Sequence, residues 1–190
     1  MNKQIKKDLF RYIGADCNKL CMQLRYMLFT PGFQYIYIYR RCQLGGLFKP
    51  FWLILLRLCM FKTGIQIPYR TKIGEGFRIV HFGTIVVNPA VVIGKNFNIS
   101  QGCLIGSAEG KKRGTPIIGN NVCMNANSII IGDCKIGNNV LIAPGAFINF
   151  DVPDNSIVMG NPGTIIQRDS SPTTKYIVYP IYCKHSLYGS

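Results

Sequence analysis

Aliphatic residues recur every six positions through the middle of the chain, and this period restricts the fold more than any other feature. A period of six matches neither an amphipathic helix, which repeats about every 3.6 residues, nor a simple alternating strand. It predicts a solenoid of short, flat-sided coils whose aliphatic side chains point inward and stack on those of neighbouring coils. The three registers are Ile67, Ile73, Ile79, Ile85 and Val91; then Ile93, Ile99 and Ile105; then Ile118, Met124, Ile130, Ile136, Ile142 and Ile148.

Small residues and glycines stand where such coils would turn. Glycine follows the aliphatic residue in several units, with asparagine nearby, and both tolerate the left-handed backbone of tight corners. A glycine-rich β-sandwich with accidental spacing is the alternative, but six consecutive positions in the third register disfavour it. The small residues that come four places after members of the third register are Val122, Ser128, Cys134, Val140 and Ala146.

Composition divides the chain into three parts. Residues 1–63 are aromatic, basic and poor in glycine, and they include two predicted helices. Residues 64–167 carry the repeat with a break loop at 107–116, and residues 168–190 form a C-terminal tail. The predicted fold is therefore mainly β, a solenoid preceded by a short α-helical segment.

Two roles remain open for the N-terminal segment, and they are compatible. Solenoids need a cap over their open end. Membrane-surface contact through residues 33–61 is the other role, because aromatic and basic side chains alternate there. The apolar run 47–61 is too short and too polar to span a bilayer. The candidate anchor residues are Tyr35, Tyr37, Tyr39, Phe48, Phe51, Trp52 and Phe61, beside Arg40, Arg41, Lys49 and Arg57.

A net charge of +14 predicts an anionic partner, either a phosphate-bearing cofactor or a membrane surface. Nucleic acid is disfavoured, because the basic residues are scattered and no recognition motif is present. The eight cysteines form no CxxC pair, zinc spacing or disulfide framework, so we expect reduced thiols and no metal site. With an N-terminus that lacks an apolar signal segment, this favours a cytoplasmic protein.

The units "IG" and "IGNN", the break loop and the ending "DVPDNSIVMGNP" closely resemble those of hexapeptide-repeat acyltransferases. The resemblance covers about Gly64 to Gln167 and is strongest to the serine acetyltransferase-like branch. That branch includes serine acetyltransferases and O-acetyltransferases of surface-polysaccharide biosynthesis. The resemblance implies a left-handed parallel β-helix, a homotrimer with active sites between subunits, and acetyl-CoA as co-substrate.

His81, in "RIVHFGTIVV", matches the general base of this branch. A base that takes the hydroxyl proton helps an alcohol to attack a thioester, and a histidine can then return that proton to the departing thiolate. A structural histidine is the alternative, but His81 stands two places after inward Ile79, which predicts an outward position near a coil corner. The other histidine, His185, matches nothing in the family and is expected to be solvated.

Near His81 the sequence departs from the pattern of serine acetyltransferases. Val80, Gln66 and Thr115 stand where serine acetyltransferases have two acidic residues and a second histidine. The carboxylate that would orient His81 is absent, which leaves Asn88 or a backbone carbonyl for that role.

These neutral residues favour a neutral acceptor. We therefore expect an O-acetyltransferase for a sugar hydroxyl in capsular or exopolysaccharide biosynthesis, with a small-molecule or lipid-linked saccharide as acceptor. A lipid-linked acceptor would suit a peripheral location on the inner face of the plasma membrane. The alternatives are a serine O-acetyltransferase of cysteine biosynthesis and a non-catalytic solenoid scaffold.

The resemblance implies that acetyl-CoA meets small residues at Gly106, Ser107, Ala126 and Pro144, where backbone amides are accessible. Pro144 has no N–H, which weakens any hydrogen bond assigned to it. Candidate contacts of the CoA phosphates are the break-loop residues Lys111, Lys112 and Arg113, for which a solvated loop is the alternative, and Arg168.

Overall fold

The computed structural model describes residues 1–181. Four helices come first, α1 (Lys3–Ile13), α2 (Leu20–Phe29), α3 (Pro31–Leu44) and α4 (Lys49–Thr63), with a 3₁₀ helix (Gly14–Asn18) after α1. Short strands follow. They are β1 (Ile65–Gln66), β2 (Lys72–Ile73), β3 (Arg78–Ile79), β4 (Ile85–Val87), β5 (Val92–Ile93), β6 (Asn98–Ile99), β7 (Leu104–Gly106), β8 (Ile117–Ile118), β9 (Cys123–Met124), β10 (Ile129–Ile131), β11 (Lys135–Ile136), β12 (Leu141–Ile142), β13 (Phe147–Ile148), β14 (Ser156–Met159) and β15 (Thr164–Gln167).

The strands form the three sides of a solenoid, since successive strands enter three sheets in rotation. Sheet 1 has the order β1-β4-β7-β10-β13, sheet 2 has β2-β5-β8-β11, and sheet 3 has β3-β6-β9-β12-β14. All of these pairings are parallel, whereas β15 pairs antiparallel with β14 at the end. The predicted inward residues are buried, with exposures of 5% or less, and they form one core with the corner residues Val122, Cys134, Val140 and Ala146.

The shift between the first two registers marks one lengthened corner. Eight positions separate inward Ile79 from Val87, whereas six separate Ile99 from Ile105. Val87 pairs with Ile105 in sheet 1. The two additional residues therefore lie between β3 and β4, in the segment 80–84, which carries His81.

A ladder of three asparagines at the corners keeps the coils in register. Asn96, Asn121 and Asn139 adopt positive φ angles of 56° to 57°, as expected for tight corners. Their side chains form a ladder in which each amide Nδ2 donates to the next Oδ1, at 2.9 and 3.0 Å. Such stacked amides satisfy their hydrogen bonds between coils, so the ladder stabilises this edge.

Polar side chains of the helices cap the open edge of the first coil. The Tyr35 hydroxyl contacts the backbone N and O of Ile67 at 3.0 and 2.9 Å, and the Tyr12 hydroxyl does the same at Ile79, at 3.1 and 2.9 Å. The Tyr39 hydroxyl donates to the Thr71 carbonyl at 2.6 Å. These hydroxyls pair groups that an open sheet edge would leave unsatisfied.

A buried ion pair reinforces the cap. Asp8 of α1 and Arg40 of α3 are 0% and 2% exposed, with Arg40 Nε 2.8 Å from Asp8 Oδ2. Asp8 also accepts from the backbone N–H groups of Gly76 and Phe77, at 2.8 and 2.9 Å. Burial raises the pKa of Asp8, and Arg40 together with these two amides opposes that rise.

The structure corrects the interpretation of the tyrosines as a membrane anchor. Tyr35 and Tyr39 are fully buried, and Tyr37 packs edge-on against Trp52 with ring centroids 5.8 Å apart. The hydroxyls of Tyr35 and Tyr39 bond to the first coil, so these two side chains belong to the cap, whereas Tyr37 packs within the helical segment. Within residues 1–181 no helix is long and apolar enough to cross a bilayer.

Candidate active site

His81 lies on the lengthened corner between sheets 3 and 1, which we call the His81 edge (residues 80–84, 100–102, 125–127 and 143–145). His81 and the neighbouring Phe82 are exposed. The backbone N–H of Val80 donates to the Ile99 carbonyl at 2.9 Å, and the N–H of Gly102 donates to the Thr84 carbonyl at 2.7 Å. Both ends of the corner are therefore held by the next coil, while His81 projects from its middle.

The imidazole of His81 has no hydrogen-bond partner among residues 1–181. Asn88, the predicted orienting residue, is engaged elsewhere: its Nδ2 donates to the Ser107 hydroxyl at 3.4 Å, and its Oδ1 accepts from the Ala90 N–H at 2.9 Å. The orienting role of Asn88 remains a prediction that the single chain does not support.

Two of the predicted donor-site residues share the edge with His81. Ala126 and Pro144 occupy the same corner in later coils, and the Gly145 N–H donates to the Ala126 carbonyl at 3.0 Å. Pro144 is exposed and Ala126 is half-buried. A line of corners, with small residues at Ala126 and Pro144, therefore runs from His81 along the solenoid axis.

The other predicted donor residues lie on a different edge. Gly106 ends β7 in sheet 1, and Ser107 begins the break loop at the corner between sheets 1 and 2, which we call the loop edge (residues 88–90, 107–116 and 132–134). The loop folds back on the following coil, because the Asp133 N–H donates to the Lys112 carbonyl at 2.9 Å. Within one chain, sheet 1 separates the loop edge from the His81 edge.

The three basic residues of the loop are all exposed, but they are not equivalent. Arg113 Nε lies 3.5 Å from a carboxylate oxygen of Glu109, whereas Lys111 and Lys112 have no such partner among the described residues. Arg168 lies on the third edge, where its N–H donates to the Asn155 carbonyl at 2.8 Å. Its exposed side chain therefore lies on a different edge of the solenoid from Lys111, Lys112 and Arg113.

One polar neighbour of the corner was missed from the sequence. Gln101, which is exposed, stands one coil further along the His81 edge, and a side chain at Gly83 would meet its Cβ at 3.0 Å. Its amide is a polar group on the next coil of that edge. The sequence contained a signal for Gln101, because the shift between the first two registers locates the corner that carries His81, and Gln101 lies on the same corner of the next coil.

The thiols near the corners are structural. The Cys103 thiol donates to the Asn125 carbonyl at 3.0 Å, and burial raises its pKa. Burial also raises the pKa of Cys123 and of Cys134 to about 11. They are therefore protonated near neutral pH and are poor nucleophiles. His185 and Cys183 lie outside the described residues, and residues 1–181 contain no cluster of His, Cys, Asp and Glu that could hold a metal ion.

Comparison with known proteins agrees with this geometry. The family model for bacterial transferase hexapeptide repeats (six repeats) matches residues 115–149. The serine acetyltransferase of Staphylococcus aureus strain Mu50 is 37% identical over 115 residues, which are 60% of this chain and 54% of that protein. The predicted resemblance to the serine acetyltransferase-like branch of the hexapeptide-repeat acyltransferases is confirmed.

Solved structures extend the similarity to the helical segment. The serine acetyltransferase of Neisseria gonorrhoeae matches with a TM-score of 0.71 and 28% identity, covering 92% of this chain and 69% of that one. The same enzyme in complex with serine matches with a TM-score of 0.70 and 28% identity, covering 86% and 68%. The left-handed parallel β-helix with a short helical N-terminus is thus confirmed. The chain spans about half the length of the curated relatives it matches.

The comparisons overturn the expected acceptor. The similar curated proteins and the structures above are serine acetyltransferases, so the prediction of a polysaccharide O-acetyltransferase with a saccharide acceptor is wrong. That prediction depended on three neutral positions, Gln66, Val80 and Thr115. Substitutions at a few positions are weaker evidence for an acceptor than similarity over most of the fold.

Proposed function

We propose that this protein is an acetyl-CoA-dependent serine O-acetyltransferase with His81 as general base. The observation that carries the proposal is the placement of His81: it is exposed, free of hydrogen-bond partners among residues 1–181, and held on a lengthened corner beside a line of small residues. The similarity to serine acetyltransferases, one of them solved in complex with serine, supports the acceptor.

The chemistry requires one proton to move twice. His81 takes the proton of the serine hydroxyl while the oxygen forms a bond to the thioester carbonyl carbon. When the tetrahedral intermediate collapses, the carbon–sulfur bond breaks and the imidazolium returns the proton to the leaving thiolate. Backbone N–H groups along the His81 edge are suited to stabilise the intermediate oxyanion, because they are fixed before the reaction begins.

A homotrimer would bring the two parts of the donor site together. The His81 edge and the loop edge bound opposite sides of sheet 1. If sheet 1 of each subunit faces a threefold axis, the His81 edge of one subunit meets the loop edge of the next. Two further observations support this arrangement. The outward row of sheet 2 begins with Lys72 and ends with Lys135, with Val92 and Ile117 between them. The outward row of sheet 1 is apolar and half-buried from Val86 to Phe147, with Leu104 and Ile129 in line.

The acceptor is tested by thiol release from acetyl-CoA with L-serine or with L-alanine, which lacks only the hydroxyl. We expect L-serine-dependent thiol release and formation of O-acetylserine, with only background hydrolysis for L-alanine. Because Gln66, Val80 and Thr115 offer no charge to the amino acid, we expect a high KM for serine rather than a low kcat. Equal thiol release with the two amino acids would contradict the proposal.

The break loop gives a second prediction. We expect the double change Lys111→Ala and Lys112→Ala to raise the KM for acetyl-CoA about threefold to tenfold at low salt, because exposed ammonium groups beside phosphates contribute modestly and are screened by ions. The kcat should stay the same. The matched control is Lys135→Ala with Lys175→Ala, both exposed elsewhere. An unchanged KM in the loop variant would mean that the loop is merely solvated.

A further inference from the structure

The outer face of α4 is apolar and uncovered. Six large side chains on it or just before it are between 53% and 90% exposed. Within α4 a spacing of three or four places puts Phe51, Ile54, Leu58 and Phe61 along one side of the helix, and the other two residues lie just before it. These residues, which we call the α4 face, are Leu47, Phe48, Phe51, Ile54, Leu58 and Phe61.

The apolar surface continues from α4 towards α2. A groove of about 250 Å³ lies beside the α4 face and is lined by Met27 of α2, Tyr37 and Ile38 of α3, and Leu55 and Leu58 of α4. At the end of α2, Leu28 and Phe29 are 61% and 78% exposed. Single-chain soluble proteins rarely expose a connected apolar surface of this kind without a binding partner.

The charge around the α4 face is all of one sign. Residues 17–74 contain no Asp or Glu, whereas Arg57 and Lys62 of α4 and Arg25 of α2 are exposed. Within residues 1–181 none of these three cations pairs with a carboxylate. The Arg57 guanidinium lies 5.0 Å from the centroid of the Phe61 ring, so its stem covers apolar surface while its charge remains at the boundary.

We propose that the α4 face docks on the surface of an anionic phospholipid bilayer. An apolar helical side bordered by unpaired Arg and Lys fits a membrane interface, where acyl chains receive the aromatic and aliphatic side chains and anionic headgroups meet the cations. At fifteen residues α4 is too short to span a bilayer, so it would lie in the interface plane. A second copy of the chain fits less well, because face-to-face contact would bring like charges together.

This inference does not depend on the reaction at His81. The cap and the His81 edge are built from different residues, and catalysis is expected to continue in solution. If the proposed trimer forms, its three caps lie at one end of the assembly. Three copies of the α4 face would then contact one bilayer at the same time, which strengthens binding.

The test is flotation of the full chain with vesicles of phosphatidylcholine alone or of phosphatidylcholine mixed with phosphatidylglycerol. We expect binding to the mixed vesicles and much weaker binding to the neutral ones. Ile54→Gln with Leu58→Gln should reduce the partition coefficient at least about tenfold. Arg57→Gln with Lys62→Gln should reduce it about thirtyfold at low salt and less at high salt.

Matched controls change similar residues elsewhere on the surface. Val92→Gln with Ile117→Gln removes two exposed apolar side chains of sheet 2, and Lys135→Gln with Lys175→Gln removes two exposed cations. Both controls should bind vesicles as the wild type does, and thermal unfolding confirms that every variant folds. Equal binding of the wild type to both vesicle types, or to neither, would overturn the proposal. So would concentration-dependent self-association that Ile54→Gln with Leu58→Gln abolishes in the absence of vesicles, since a second copy would then cover the face.

Discussion

Replacing His81 with alanine is expected to lower kcat for serine-dependent thiol release about a hundredfold to ten-thousandfold, because the serine hydroxyl then loses the group that takes its proton. The KM for acetyl-CoA should change little, since the small corners at Ala126 and Pro144 remain in place. The exposed side chain has no partner among residues 1–181, so its removal should not alter the unfolding temperature. The measurement is steady-state thiol release with L-serine in excess.

His185→Ala is the matched control, because it makes the same chemical change at the only other histidine of the chain. It should retain the wild-type kcat. A loss of less than about tenfold in His81→Ala would exclude His81 as the general base. If acetyl-CoA still protected both variants against thermal unfolding, that result would separate a lost base from a lost cofactor site.

Asp8→Ala is expected to lower the free energy of unfolding by about 3–5 kcal/mol, because it leaves the Arg40 guanidinium buried without its counter-charge. The change also leaves the N–H groups of Gly76 and Phe77 without an acceptor. A loss of this size is a large part of the stability of an ordinary domain. Urea unfolding followed by circular dichroism, at one fixed protein concentration, measures it.

Asp16→Ala is the control for that experiment. Asp16 forms an exposed ion pair with Lys19, with 2.8 Å between Lys19 Nζ and Asp16 Oδ1, and its loss should cost less than about 1 kcal/mol. Arg40→Met should also be strongly destabilising, because it leaves the Asp8 charge unpaired and uncovers the carbonyls of Ile73 and Gly74. Equal stabilities for the Asp8 and Asp16 variants would mean that the cap does not depend on the buried pair.

The sequence predicted the solenoid well and the acceptor badly, for one physical reason. Each coil side needs an inward aliphatic residue such as Ile99, Ile118 or Ile142, so the fold repeats its requirement many times along the chain. An acceptor is selected by a few side chains, and the neutral residues Val80 and Gln66 were interpreted without the fold around them. The similarity to serine acetyltransferases corrected that interpretation.

The N-terminal segment shows the same difference. Two of its four helices, α2 and α4, were predicted from local pattern, whereas α1 and α3 were not. The aromatic and basic composition did not distinguish a cap from a membrane anchor. The structure separates the two roles by residue: Tyr35 and Tyr39 turn inward to the first coil, whereas Phe51 and Ile54 face outward. Both α3 and α4 are rich in aromatic and basic residues, and only packing decides which of these side chains are buried.

The sequence by itself determined the coil period, the inward stacks and the outward position of His81, because each of these depends on residues close together along the chain. Only the tertiary structure decided that Asp8 pairs with Arg40, that Asn88 bonds to Ser107 rather than to His81, and that sheet 1 separates the two groups of predicted donor-site residues. Those relations join residues that are distant in sequence. The distances between them depend on how the coils stack, which no local sequence pattern shows.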